Sequence, residues 1–375
     1  TSFVEKNSNI YIKLEKEFFD EKFCLVKNYE NWKKNKCFDE NTPIRCILDF
    51  LLIESVLENA TDIHFDQLDA EKTVVRFRKD TVLMQKFFLT KKQYSSLFSC
   101  LKINCNLDTS NNFTPQSKSF FKIFRNEKVD FRFSTHPDYF SERCVIRVLQ
   151  KKNVFSINDL NLEEDVKQTV DKIINQPSGF VVFSGPTNSG KTTFVHSILN
   201  EIAKKNLNIM TLEDPVEYKI NNVVQSNVKE NFSFFDGVKS ILRPDPDVIF
   251  VGEIRDEQTA KIALTAAMTG HKVLTTIHAN CVKSALLRLV DLKLPFSILA
   301  QSVLAIFSQR LLRKFENGNY NGLCSLIDHC YFDENLKKTL FDGKIPDIKD
   351  NLNFHAQKLV EKKITNQEEV KRVLG

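Results

Sequence analysis

Glycine is scarce and unevenly placed in this 375-residue sequence: there are ten glycines, and none precedes Gly179. A backbone can approach a phosphate group closely only where no side chain intervenes, and glycine is the residue that allows this approach. The first half of the chain therefore lacks the residue type that a phosphate-binding loop needs. We expect any phosphate chemistry in the second half.

Long apolar runs are also absent. The longest, residues 46–53, is interrupted by Asp49 and is far shorter than the roughly 18 residues that a membrane helix requires. No signal peptide is recognisable. We therefore expect no membrane-spanning segment.

The cysteines and the charges exclude further classes. There are nine cysteines, an odd number without the spacing of a disulfide framework, which in a chain this long indicates reduced thiols and a cytoplasmic protein. The net charge is only +5, with 53 basic and 48 acidic residues interspersed. Because no basic tail is present, we expect no direct contact with nucleic acid. At roughly 150 residues per domain, the length predicts two or three domains.

Apolar periodicity divides the chain into two regions. In the first, residues 44–60 have the pattern of an amphipathic helix, and strand-like patterns follow at 63–65, 73–78, 129–134 and 143–149. This region predicts an α+β module of roughly 100 residues. The polar segment 150–159 predicts a linker.

The second region alternates short apolar strands with helices. After a helix at 163–176, strands are predicted at 180–183, 209–212, 248–251 and 273–277, and helices at 191–204, 256–268, 282–290 and 298–313. Such alternation predicts an α/β fold with a mostly parallel, doubly wound sheet.

Residues 185–192 fit the phosphate-binding pattern G-x-x-x-x-G-K-[ST] completely. A strand precedes them and a helix follows, so that backbone N–H groups and the positive end of the helix dipole would face the phosphates. We expect Lys191 to bridge the β- and γ-phosphates of ATP and Thr192 to coordinate Mg²⁺. A chance glycine-rich turn is the alternative, and the flanking strand and helix argue against it. The expected nucleotide-binding residues are Gly185, Pro186, Thr187, Asn188, Ser189, Gly190, Lys191, Thr192 and Thr193.

Acidic residues follow the next strand. Glu213, Asp214 and Glu217 come where the ligands of a parallel sheet bind, beyond the carboxyl end of a strand. A solvated acidic turn would have the same composition. Pro215 inside the cluster favours a turn of fixed shape.

Two further strands end in candidate site residues. Glu253 follows the apolar strand 248–251, which directs its carboxylate at Mg²⁺ or at the attacking water, while Asp256 is positioned to cap the next helix. A surface glutamate at a strand end is the alternative for Glu253. His278 ends the strand at 273–277 and is a candidate γ-phosphate sensor, whereas we interpret His271 as structural.

These blocks, in this order, resemble the secretion ATPases that power type II secretion, type IV pilus extension and retraction, and DNA-uptake pseudopili. The resemblance covers residues 44–375. Its C-terminal blocks are the Walker A run 185–192, the Asp box 211–218, the Walker B run 245–256, the His box 275–279 and the segment 309–313. Residues 60–65, 75–80, 129–134 and 142–147 resemble blocks of the family's N-terminal, PAS-like domain.

The resemblance implies roles for residues and partners. Glu217 would be the catalytic base, Glu253 the Walker B residue and Mg²⁺ ligand, and Arg132 and Arg147 arginine fingers; surface strand charges are the alternative for the two arginines. It implies a cytoplasmic homohexameric ring at the inner face of the cytoplasmic membrane. ATP would lie between the two domains, and their rotation would act on an inner-membrane platform protein and associated cytoplasmic or membrane assembly proteins.

The resemblance also implies a domain order. We expect an N-terminal extension (1–43), a PAS-like α+β domain (44–150), a linker (151–160), a RecA-like ATPase core (161–314) and a C-terminal helical subdomain (315–375).

The sequence departs from the family in several places. Family glycines are replaced by Thr81, by Ser117 or Lys118, by Ser141 and by Asn188. Pro244 replaces a glutamine. Many extension-type relatives carry a four-cysteine zinc module, but only Cys324 and Cys330 remain in that region, so we expect no zinc. The tail resembles the type II secretion and pilus-extension branch.

Two alternatives to an assembly motor remain at this point. One is a motor that translocates nucleic acid on the same core, which the weak basic charge disfavours. The other is a nucleotide-bound structural hub without turnover, suggested by the lost glycines.

Overall fold

The computed structural model describes residues 28–124, 127–139, 142–149, 155–229 and 231–375. The chain divides into two compact units, Thr1–Lys151 and Lys152–Gly375, which we call the N-terminal and C-terminal units. Ser141, residues 150–154 of the predicted linker and residues 1–27 of the predicted extension lie outside the described residues. Within the described ranges, every helix is too short or too polar to cross a membrane.

In its described residues, the N-terminal unit combines a helix at residues 28–35 with two further helices and six strands. The two further helices are α1 (Ile44–Leu57) and α2 (Lys91–Asn104), and the strands are β1 (Asp62–Gln67), β2 (Lys72–Lys79), β3 (Val82–Thr90), β4 (Ser117–Phe124), β5 (Glu127–Pro137) and β6 (Glu142–Leu149). The strands form one antiparallel sheet in the order β3-β2-β1-β6-β5-β4.

Aromatic residues fill the core of this unit. Phe65, Phe77 and Phe131 are fully buried, because side chains along a strand alternate between the two faces of the sheet. Residues 28–35 are helical, and the side chain of Trp32 in this helix packs in the same core. Its ring lies 5.3 Å from that of Phe38. Residues 28–43, which we assigned to an extension, thus contribute to the core of the N-terminal unit.

The C-terminal unit alternates strands with helices. Its strands are β7 (Gly179–Ser184), β8 (Ile209–Glu213), β9 (Val224–Asn227), β10 (Val248–Val251), β11 (Lys272–Ile277), β12 (Val303–Glu316) and β13 (Asn319–Tyr331). Its α-helices are α3 (Glu164–Asn175), α4 (Lys191–Ile202), α5 (Phe234–Ile241), α6 (Glu257–Met268), α7 (Val282–Asp291), α8 (Phe296–Ser302), α9 (Glu334–Phe341), α10 (Leu352–Glu361) and α11 (Gln367–Leu374).

The seven strands form one sheet in the order β13-β12-β7-β11-β10-β8-β9. Neighbouring strands are parallel except in the β12–β13 hairpin. The central strands β7, β10 and β11 are buried along their whole length, as expected for a sheet covered on both faces.

The predicted helix at 298–313 is wrong beyond residue 302. Only α8 is helical there, and β12 begins at Val303. Residues 303–310 are buried without interruption beside β7. The apolar run 303–307 within this stretch fits a buried strand as well as a buried helix. Residues 315–331 consequently complete a hairpin, and helices resume only at α9.

The sequence patterns also missed several elements. The strands β3, β4, β9 and β13 and the helices α2 and α5 were not predicted. The edge strand β4 has alternating half-buried and exposed residues, so its apolar pattern is weak. The helix α2 begins at a capping box of Thr90 and Gln93, a local signal of a helix start. Its buried apolar residues have helical spacing, a second signal that was missed: Tyr94, Leu97, Phe98 and Leu101.

Candidate functional site

Four neighbouring parallel strands end at one edge of the C-terminal sheet. Ser184 at the end of β7 pairs with Ile277 at the end of β11. In turn, Val251 of β10 pairs with Thr275 of β11 and with Leu212 of β8. The segments that follow these strands contain the predicted phosphate loop, the acidic residues and His278. The fold thus brings these candidates to the edge where ligands of open α/β sheets bind.

The loop between β7 and α4 lies directly against β12. A Cβ atom on Gly185 would lie 2.5 Å from Ser189 Oγ and 2.6 Å from the carbonyl oxygen of Gln309. On Gly190 it would lie 2.9 Å from Gln309 Nε2. Both glycines have positive φ, and so does Asn188 (63°), a residue type that tolerates this conformation. Asn188 therefore keeps the backbone shape at a position where the family has glycine.

This loop has the chemistry of a phosphate site. The hydroxyl of Ser189 is buried and has no hydrogen-bond partner among the described residues. Lys191 Nζ donates to the carbonyl oxygens of Gly185 (2.9 Å) and Pro186 (2.8 Å). Burial lowers the pKa of Lys191 to about 8, against the attraction of Glu253. Thr192 and Thr193 follow in the first turn of α4 and are half-buried.

The acidic residues after β8 fall into two environments. Glu213 is 2% exposed and lies inside the unit, whereas Asp214 and Glu217 are exposed. We call residues 214–219 the acidic turn. Only the carboxylates of Asp214 and Glu217 are available to a ligand or a water molecule at the surface.

Glu253 and His278 meet at the ends of β10 and β11. The carboxylate of Glu253 lies 3.7 Å from His278 Nε2 and forms an ion pair with Arg255. Gly252, just before Glu253, packs closely against β8, because a Cβ atom there would lie 3.0 Å from the carbonyl oxygen of Leu212. The structure thus places Glu253 and His278 together, on the strands adjacent to β7 and β8.

A buried polar pair on β12 also lies at this site, within the segment 309–313 that resembles the family. Gln309 and Arg310 of β12 are 3% and 9% exposed. The guanidinium of Arg310 donates to the carbonyl oxygen of Asn280 (2.7 Å), two residues beyond His278, and forms no ion pair within the described residues. Their signal in the sequence is a polar pair inside an otherwise apolar run.

The two predicted arginines lie in the N-terminal unit and pair across β5 and β6. Arg147 donates to Asp62 (3.0 Å) and Arg132 to Ser117 Oγ (3.1 Å). Directly opposed residues point to the same face of a sheet, so Arg132 and Arg147 form a row with Asp62 and Arg78. Arg132 and Arg147 are both exposed.

Other metal-binding residue types occur elsewhere in the C-terminal unit. Glu163, Asp165 and His355 are close enough to share an ion, but Glu163 already pairs with Lys358 at 3.3 Å and with Lys362 at 3.5 Å. Cys324 and Cys330 are free thiols whose pKa burial raises to about 11.

Comparison with known proteins agrees with this geometry. The model of the family described as "Type II/IV secretion system protein" matches residues 38–363. The "Protein transport protein HofB homolog" of Haemophilus influenzae is 34% identical over 367 residues, which is 93% of this chain and 77% of that protein. The "Putative type II secretion system protein E" of Escherichia coli is 38% identical over 280 residues, covering 74% of this chain but only 56% of that relative.

A solved structure extends the similarity. The pilus retraction motor PilT with bound ADP has a TM-score of 0.59 and 26% identity, covering 85% of this chain and 90% of that chain. The matches span both units described above, and the family pattern covers most of the chain. The chain belongs to the type II/IV secretion system protein family.

Proposed function

We propose that this chain hydrolyses ATP with Mg²⁺ and that the reaction powers assembly of a type II secretion pseudopilus, a type IV pilus or a DNA-uptake pseudopilus. The observation that supports this proposal best is the placement of Lys191, Glu253, His278 and the acidic turn beyond four adjacent strand ends. Such an arrangement suits phosphoryl transfer, where catalysis consists mainly of positioning and charge stabilisation.

Each side chain has a distinct part in this proposal. Lys191 would leave the loop carbonyls and bind the β- and γ-phosphates, while Thr192 and Glu253 would hold Mg²⁺, which neutralises charge on the phosphate oxygens. Glu217, exposed on the acidic turn, would accept the proton of the attacking water. His278 would contact the γ-phosphate beside Glu253.

Arg132 and Arg147 would complete the site from the N-terminal unit. Support comes from their exposure and from Asp62 and Ser117, which hold the guanidinium groups at the sheet surface. They would reach the γ-phosphate through domain closure or across a subunit interface, which would couple hydrolysis to movement.

The partners follow from the family rather than from the site. We propose a homohexameric ring, cytoplasmic and peripheral at the inner face of the membrane, that acts on a platform protein. The names of the relatives, which concern protein transport and type II secretion, support this proposal. The weak net charge of +5 offers nothing to favour nucleic-acid translocation. We also propose that no zinc is bound.

Steady-state ATP turnover of the purified chain tests the proposal. Lys191→Ala should abolish Mg²⁺-dependent turnover, because it removes the main side-chain charge at the phosphates. Lys204→Ala, at an exposed lysine that pairs with Glu201, should retain it. Near-native turnover by Lys191→Ala would contradict the proposed role of the phosphate loop. No turnover by the parent chain would contradict the proposed hydrolysis and favour a structural hub.

A further inference from the structure

His196 and Glu213 form a buried pair behind the acidic turn. His196 lies on α4, one helical turn beyond Thr193, and is 0% exposed, while Glu213 ends β8 and is 2% exposed. His196 Nε2 donates to Glu213 Oε2 at 2.8 Å. The other carboxylate oxygen accepts from Thr211 (2.6 Å) and from Gln225 (3.0 Å). Burial alone would raise the pKa of Glu213, but these hydrogen bonds, that of His196 above all, hold it below the usual value.

The imidazole also contacts the far end of the acidic turn. The rings of His196 and Tyr218 meet edge to face, with centroids 5.6 Å apart. Through His196, the helix α4 therefore contacts Glu213, just before the acidic turn, and Tyr218, within it. The first turn of this same helix would bind the phosphates.

Gln225 of β9 links Glu213 to the backbone at the far end of the acidic turn. Its amide Nε2 donates both to Glu213 and to the carbonyl oxygen of Tyr218 (2.8 Å), and its Oε1 accepts from the backbone N–H of Ile220 (2.8 Å). Asn227 Oδ1 accepts from the N–H of Val216 at 2.7 Å. The backbone on both sides of Glu217 is thus fixed by side chains.

We propose that His196 is a positioning residue for hydrolysis: through Glu213, Gln225 and Tyr218 it fixes the acidic turn relative to α4 and so places Glu217 opposite the bound phosphates. The inference rests on the proposed function, because it assigns His196 a role only if Glu217 is the base. Its side chain is buried and would touch neither nucleotide nor water.

Two substitutions separate the contacts of His196. His196→Phe keeps a ring against Tyr218 but removes the donor to Glu213. His196→Gln loses the ring but places an amide donor at about the reach of Nε2. We expect His196→Phe to lower kcat roughly 10- to 100-fold, the scale of a small misplacement of a catalytic group. ATP affinity should change less than about threefold, since His196 does not contact the phosphates. His196→Gln should recover most of the rate.

The decisive experiment is a double-mutant cycle that combines His196→Phe with Glu217→Gln. If His196 acts through Glu217, His196→Phe should change the residual rate of Glu217→Gln by less than about threefold. An equal loss in both backgrounds would overturn the inference, as would native kcat in His196→Phe. A parallel loss of kcat, ATP affinity and thermal stability without rescue by His196→Gln would also overturn it, because it would indicate a structural role only.

A second variant covers the case in which His196→Phe does not fold. Gln225→Met removes the bonds to Glu213 and Tyr218 from the partly buried strand β9, and we expect the same selective loss of kcat. Unchanged kcat in Gln225→Met would then overturn the inference. If Lys191→Ala abolishes turnover in the same experiments, the proposed ATPase function stands even when the inference about His196 is overturned.

Discussion

The β2–β3 turn of the N-terminal unit and the β7–α4 loop of the C-terminal unit both use residues with positive φ, but they differ in what surrounds them. The turn consists of Asp80 (φ 48°) and Thr81 (φ 69°), the conformation of a two-residue hairpin that usually contains glycine. In the loop, Asn188 likewise replaces glycine, whereas Gly185 and Gly190 lie against β12. Glycine can therefore be replaced where only the sign of φ matters, at some cost in strain. It is retained where a Cβ atom would overlap a neighbour.

The largest expected effect is at Gly185. Gly185→Ala would place a Cβ atom 2.6 Å from a backbone carbonyl oxygen of β12, which cannot move without displacing the backbone of that strand. We expect ATP turnover to fall at least about 100-fold, the scale of a misplaced phosphate loop. Asn188→Gly, which only restores glycine at a tolerated position, should stay within about threefold of the parent chain. Equal ATP turnover by Gly185→Ala and Asn188→Gly would contradict the claim that glycine is retained where a Cβ atom would overlap a neighbour.

An intermediate effect is expected at a buried ion pair in the N-terminal unit. Lys102 and Glu142 are 2.7 Å apart, with side chains 1% and 2% exposed, and Lys102 also donates to the carbonyl oxygen of Asn111 (3.0 Å). Through the bond to Asn111, this pair fixes the polar loop that follows α2. Lys102→Met would leave a buried carboxylate unpaired, which should lower the free energy of unfolding by about 3–5 kcal/mol.

Chemical denaturation measures this loss, with Lys122→Met as the matched control. Lys122 pairs with Asp49 at 2.9 Å, but both side chains are at least one-third exposed, so its removal should cost only about 0–1 kcal/mol. Similar losses in the two variants would show that the loop is not held by the buried pair.

The smallest effect tests the hairpin itself. Thr81 is β-branched and occupies the left-handed region, which costs a non-glycine residue roughly 1–2 kcal/mol. Thr81→Gly should therefore raise the free energy of unfolding by about 1 kcal/mol, less than the full strain because glycine adds entropy to the unfolded chain. A denaturation midpoint that falls in Thr81→Gly would mean that the turn needs its side chain.

Sequence reasoning succeeded where one physical signal dominated. The strands at 180–183, 248–251 and 273–277 are confirmed. The first two are short apolar runs and the third combines apolar with β-branched residues, and each is bounded by glycine or polar residues. Those strand ends also locate Lys191, Glu253 and His278, although their chemical roles stay predictions. The strand β12 was mistaken for a helix because burial on both faces removes the period of two.

Other features were beyond single-sequence reasoning because they depend on distant partners. The contacts of His196 with Glu213 and of Gln309 with the phosphate loop join elements far apart in sequence. The two environments in the acidic segment, with Glu213 buried and Glu217 exposed, also emerge only once β8 is packed beside α4. The assignment of Arg132 and Arg147 stays a prediction, since it concerns the relation between the two units.

The most direct test of the proposed catalysis compares nucleotide binding and turnover in full-length Glu217→Gln, with the exposed Glu316→Gln as control. Binding of a fluorescent ATP analogue and steady-state hydrolysis would be measured on the same preparations. We predict that Glu217→Gln binds nucleotide within about threefold of the parent chain and hydrolyses it roughly 10²- to 10⁴-fold more slowly, the usual contribution of a positioned general base. Parent-like hydrolysis by Glu217→Gln would contradict the account and move the role of base to another carboxylate at this edge of the sheet.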